Sequence, residues 1–131
     1  VASIRDGLRY SVVEYIALRG RKNAYWDAVR RYFERYDLLL TPALSVAAFP
    51  VGRLQPAHWP HHPWNWMSWA SFTYPFNFTG NPAASVPAGV SNEGLPVGLQ
   101  IVGRRFADLT VPQAAAAYEQ ARPWAQHRPR L

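Results

Sequence analysis

Apolar positions fall at intervals of three and four in the stretch that follows Gly20. Trp26, Val29, Phe33 and Tyr36 make one stripe, the pattern of a helix pressed on a core along a single face. Its start is marked by Ser11-Val12-Val13-Glu14, the S-x-x-E form of a capping box, so the predicted helix runs from Ser11 to about Arg35. Gly20 weakens the upper half by about 1 kcal/mol relative to alanine. Ahead of it, VASIRDGLRY reads as the tail of an earlier element and opens without Met, which points to a piece of something longer.

Three consecutive leucines in Asp37 to Pro42 predict a strand buried on both faces, in a parallel or mixed sheet, ended by Pro42. From Phe49 to Trp69 no period survives Pro50, Pro56, Pro60 and Pro63, and a long loop is expected, of a length that is usually functional. Thr73 can then cap a short plug helix. Pro75 sits where its missing N–H costs little, Gly80 supplies a left-handed exit and Pro82 forbids continuation. Ala83 to Pro87 reads as a strand of small residues that Pro87 bars from continuing as an interior ladder member. After the turn-rich Ser91-Asn92-Glu93-Gly94, Val97 to Gly103 alternates as a strand pairing back in a hairpin. Thr110-Val111-Pro112-Gln113 is a second possible capping box, and Val111, Ala115 and Tyr118 face the core from a helix ending near Arg122. The order of elements predicts an α/β layer structure.

Composition adds bounds rather than chemistry. The 131 residues suffice for one domain, and 49% hydrophobic residues with six Trp, seven Tyr and six Phe exclude disorder. The absence of cysteine excludes disulfides and thiolate metal sites. No window approaches the roughly 18 apolar residues of a membrane span, and Val1 opens neither a signal nor a transit segment, so a soluble cytoplasmic chain with no membrane partner is expected. The net charge of +6 comes from 14 basic residues, all but Lys22 being arginine. Asp6, Glu14, Asp27 and Glu34 interrupt them, as on an ordinary solvated helix face, and nucleic acid is not an expected partner.

YDLLLTPAL, FTYPFNFTGNPAASVPAG and GLPVGLQIVGRRFADLTVPQAAAAYEQARPW, in that order and spacing, resemble the C-terminal portion of the amidase signature family, serine hydrolases that cleave amide bonds. The resemblance runs from about Ser11 to Trp124. It implies the C-terminal part of a mixed β-sheet core flanked by the helices of residues 11–35 and 110–122, with residues 1–131 a segment of one incomplete amidase domain. In the family a serine attacks the amide carbonyl, a second serine relays its proton to a lysine, and glycine-rich backbone N–H groups stabilise the oxyanion. Those groups precede the matching portion. Lys22 lies in an arginine-rich helical run, and none of the serines at 3, 11, 45, 68, 71, 85 and 91 sits in a glycine-flanked elbow. Ser85, in the buried-looking AASVP run, reads as packing.

The resemblance therefore implies no catalytic residue and no cofactor in this chain, which should be inert alone. Its implied partners are a small-molecule amide in the complete enzyme and either the missing N-terminal portion or a second copy. The apolar stripe of Trp26, Val29 and Phe33 and cut sheet edges would seek that cover. The alternative is a non-catalytic binding module on the same fold fragment.

Trp64, Trp66, Trp69 and Phe72 are the candidate substrate-pocket residues, rigid apolar surface just before the F-T-x-P run; core filling under the long loop is the competing role. Ala70 stands where the tRNA-amidotransferase branch of the family carries an acidic residue that recognises the glutamine amino group, which argues against that substrate. His58, His61 and His62 have the residue type of a zinc site without its geometry or a fourth partner in sequence, so rim histidines are expected and no metal. Asn77-Phe78-Thr79 fits a glycosylation acceptor or, without a secretory signal, an amide that orients the plug helix. Arg104 and Arg105 could pair with Asp108 at the surface. Pro112 departs from the family's usual leucine.

Overall fold

The computed structural model describes residues 2–62 and 67–126. Its elements are α1 (Ala2–Gly7), α2 (Val12–Tyr32), β1 (Leu38–Pro42), a 3-10 turn (Ser68–Ala70), α3 (Tyr74–Thr79), β2 (Ala83–Val90), β3 (Pro96–Gly103) and α4 (Thr110–Ala121). Helices flank a sheet, the expected α/β architecture. Among the described residues the sheet has three strands in the order β1-β3-β2, both pairings antiparallel.

The capping box forms as read. The Glu14 N–H donates to Ser11 Oγ at 3.2 Å, and the Ser11 N–H donates to Glu14 Oε2 at 2.7 Å. The backbone donor, then the serine hydroxyl, holds the Glu14 carboxyl below the ordinary glutamate range. Exposed charges at the end of α2 pair locally: Arg30 with Asp27 and with Glu34 just past the helix, and Arg31 with Asp27.

Strand register sorts the core. Leu39, Val102 and Ala83 lie opposite one another on one face, and Phe33 and Phe76 bring α2 and α3 against Val102 there. Phe33 is 1% exposed, with Val29, Tyr32 and Leu39 packed around the cluster and the Tyr32 ring edge-on to it at 5.1 Å. On the other face α4 covers β2 and β3: Val111 Cγ2 lies 2.7 Å from the point where a Cβ on Gly103 would stand.

Several expectations are corrected. Leu40 is 57% exposed, because β1 is an edge strand and α4 packs over β2 and β3. Tyr36 lies past the end of α2, half exposed and stacked on Tyr32 at 4.7 Å. The apolar surface left bare is not the stripe of Trp26, Val29 and Phe33. It is the region of α1 and the first half of α2, where Leu8, Val12, Val13, Tyr15 and Ile16 are all exposed. β2 continues past Pro87 to Val90, with a register shift between Pro87 and Gly89. An edge strand has one side without a ladder partner, so proline is tolerated there and the bulge absorbs the misfit.

The cap of α4 also differs. Leu109 is the N-cap with helical backbone angles and Thr110 is already inside the helix, so its hydroxyl caps nothing. Thr73 occupies the N-cap of α3, but its hydroxyl donates back to the Ala70 carbonyl at 2.7 Å. Gly80 closes α3 in the left-handed region, φ 69°, with its N–H on the Phe76 carbonyl at 2.8 Å.

Candidate functional site

β1 ends at Pro42, but pairing persists one residue further, the Ala43 N–H donating to the Gly98 carbonyl at 2.9 Å. From there the chain runs along the head of β3 and encloses a cleft of about 620 Å³, lined by residues 42–49, Trp69 and residues 96–98. Gly98 makes this closeness possible. A Cβ at that position would stand 2.9 Å from Ala43 Cβ and 3.0 Å from Ser85 Oγ, nearer than packed carbons approach.

The lining carries no charged side chain. Trp69 and Phe49 form an aromatic corner, ring centroids 5.2 Å apart and nearly perpendicular. The Trp69 indole N–H is spent on the Leu54 carbonyl at 3.0 Å. That leaves the Ser45 hydroxyl as the side-chain polar group of the lining, 2.6 Å from the Ser71 hydroxyl.

Non-periodic sequence is held here by side chains bonding to distant backbone. Gln100, 5% exposed, donates through Nε2 to Thr41 Oγ1 at 3.0 Å and to the Phe72 carbonyl at 2.9 Å, which ties β1, β3 and the aromatic segment at one point. Within the aromatic segment Trp59 Nε1 donates to Ser68 Oγ at 2.7 Å and the Tyr74 hydroxyl to the Met67 carbonyl at 2.6 Å. Sequence reasoning passed over Gln100. Its signal was a single amide in the otherwise apolar strand PVGLQIVG, on the face that the core requires.

Of the four expected pocket residues, the structure puts Trp69 on the cleft. Phe72 is half-buried outside the lining, with its carbonyl fixed by Gln100, and Trp64 and Trp66 lie outside the described residues. His58, His61 and His62 are exposed, and among the described residues no group of three or more His, Cys, Asp or Glu is placed to hold a metal ion. Lys22 sits on α2 with its ammonium 5.6 Å from the Phe78 ring centroid. Ser85 is exposed rather than buried, since its edge strand leaves that position open. The amide that anchors the plug helix is that of Asn81, donating to the Gly103 carbonyl at 2.8 Å, whereas Asn77 is exposed.

A smaller cavity of about 260 Å³ lies between α2 and the end of β3, where Trp26, Arg30 and Arg105 contribute walls. Arg104 does not pair with Asp108. It donates from Nη2 to the Phe33 carbonyl at 2.5 Å, placing a cation at the C-terminal end of α2 where the helix dipole favours one. Arg105 stacks over Phe106 at 4.7 Å.

A sequence model of the family described as Amidase matches residues 5–111. The chain belongs to the amidase signature family. Among relatives, an acylamidase of Rhodococcus erythropolis is 38% identical over 84% of this chain and 24% of its own length. A glutamyl-tRNA(Gln) amidotransferase subunit of Geobacter metallireducens is 42% identical over 70% of this chain and 18% of its own. The crystal structure of a bacterial aryl acylamidase of the amidase signature family superposes on 97% of this chain and 28% of its own, with TM-score 0.76 and 37% identity. The chain thus spans about a fifth to a quarter of the length of these family members. No helix of the described residues is long and apolar enough to cross a membrane.

Proposed function

We propose that this chain is the C-terminal segment of an amide hydrolase, a cytoplasmic enzyme that cleaves a carboxamide C–N bond through a Ser-Ser-Lys acyl-enzyme mechanism. The nucleophile, relay serine and lysine belong to the portion before Val1. The observation that carries this is the match of nearly the whole chain to acylamidases. Here the 42–49 segment, Trp69 and the head of β3 form a wall of the substrate pocket. Trp64, Trp66 and Phe72 are proposed for the same aromatic surround.

The distribution of chemistry supports that division of labour. An activated serine needs a base within hydrogen-bond reach. The sequence's sole lysine faces the Phe78 ring; among the described residues the Ser45 and Ser71 hydroxyls bond to each other, and the Ser11 hydroxyl is bonded to Glu14 within the exposed helix cap. Hydrolysis is favoured over tRNA-dependent amide transfer by Ala70, a 3% exposed methyl where that branch carries a carboxylate. The bare apolar surface of α1 and the first half of α2 is the face that the rest of the domain, or a second copy, would cover.

Expression of the chain together with its preceding portion tests the reading. That protein is expected to release acid and amine from a neutral anilide, while the 131-residue chain releases neither. An inactive longer protein would contradict it.

A further inference from the structure

We infer that the Ser45–Ser71 hydroxyl pair is a specificity element, which reads a single neutral hydrogen-bonding group on an otherwise apolar, aryl-sized substrate body held in the 620 Å³ cleft. The inference rests on the proposed pocket role of that cleft and names the class of molecule it takes.

Three features of the cleft carry it. First, no charged side chain lines it, so an ionised ligand would lose hydration without gaining a counter-charge, and carboxylates and ammonium groups are disfavoured. Second, the lining is aliphatic apart from the Phe49–Trp69 corner, whose perpendicular rings offer a flat wall to an aromatic or compact alkyl group. Third, side-chain polarity is confined to one spot. The Trp69 N–H is already bonded, whereas the serine pair is half used. At 2.6 Å one hydroxyl donates to the other, which leaves one O–H donor and free lone pairs for a ligand. A pocket whose side chains are apolar but for one hydroxyl pair binds by burial and is oriented by that pair.

Gln100 and Gly98 make the arrangement rigid. Gln100 fixes the backbone at Phe72, beside Ser71, to the sheet, and Gly98 lets the segment carrying Ser45 lie against β3. The two hydroxyls therefore come from chain positions 26 apart yet are held by the same strand.

Equilibrium binding of a matched pair of probes to the complete protein provides the test, with 4-ethylphenol and ethylbenzene differing by one hydroxyl. The wild type is expected to bind the phenol about three- to tenfold more tightly, the worth of one neutral hydrogen bond. In Ser45→Ala that ratio falls to about one while ethylbenzene affinity holds within about twofold. Ser71→Ala, outside the lining, serves as the second variant and lowers the ratio in the same direction. A ratio unchanged in both variants, a wild-type ratio near one, or loss of both probes in both variants overturns the inference. Anilide hydrolysis measured on the same wild-type sample separates the two readings. Its absence would remove the amidase proposal, while a Ser45-dependent binding ratio would still establish the subsite.

Discussion

Truncation of Phe33 to alanine is expected to lower the stability of the fold by about 3–5 kcal/mol. Phe33 is where four elements meet: it is carried by the end of α2 and packs with Phe76 of α3 and Val102 of β3, with Leu39 of β1 beside them. Its ring cannot be replaced by collapse, because Val102 is held in register by both neighbouring strands and Phe76 by the Gly80 and Asn81 anchors of α3. Chemical denaturation read as a shift of the midpoint at unchanged slope measures the loss. Phe33→Leu keeps most of the volume and should recover more than half of it. A loss for Phe33→Ala no larger than that of an exposed position such as Leu8→Ala would mean that the α2 end is not docked as described.

The second large effect is expected in catalysis. Replacing Trp69 by alanine in the complete protein should lower kcat/KM for neutral aryl amides by about 10- to 100-fold, from the loss of roughly 1.5–3 kcal/mol of apolar contact. The indole forms one wall of the cleft and supports Phe49, the other half of the corner. Its N–H tethers the loop at Leu54, so Trp69→Phe separates the two roles: the wall is kept and the tether is lost. If the wall matters most, Trp69→Phe retains most of the activity, and the Trp69→Ala defect lies in KM, as expected when ground and transition states lose the same contact. A Trp69→Ala enzyme with unchanged kinetics would place the substrate elsewhere.

Local patterns made much of the fold legible. A capping box and a three-four stripe located α2, and a proline, a left-handed glycine and a second proline bracketed α3. The β2-β3 hairpin followed from alternation around a turn that closes with Ser91 N–H on the Leu95 carbonyl at 2.7 Å. What local patterns could not decide was which strand is an edge. The exposure of Leu40 and the passage of β2 through Pro87 both depend on strand order, which is a property of the whole sheet.

The cleft was less legible for the same kind of reason. Aromatic residues before the plug helix marked its neighbourhood, and Trp69 does line it. Most of the wall is Ala43 to Phe49, a run without period or unusual chemistry, which becomes a surface only because Gly98 admits it beside β3. Gln100 bonds to partners 59 and 28 residues away in the chain, and no spacing rule reaches that far. Ser45 and Ser71, 26 residues apart, are unremarkable until folding puts their hydroxyls at 2.6 Å.

The central claim is that these residues shape and support a pocket while the attacking serine lies before them. Reacting the complete, active protein with a serine-directed phosphonylating reagent and mapping the modified peptide tests it most directly. Stoichiometric modification and full inactivation are expected, with the adduct on a serine preceding Val1. An adduct on any of the serines at 3, 11, 45, 68, 71, 85 or 91 that accounts for the lost activity would contradict it.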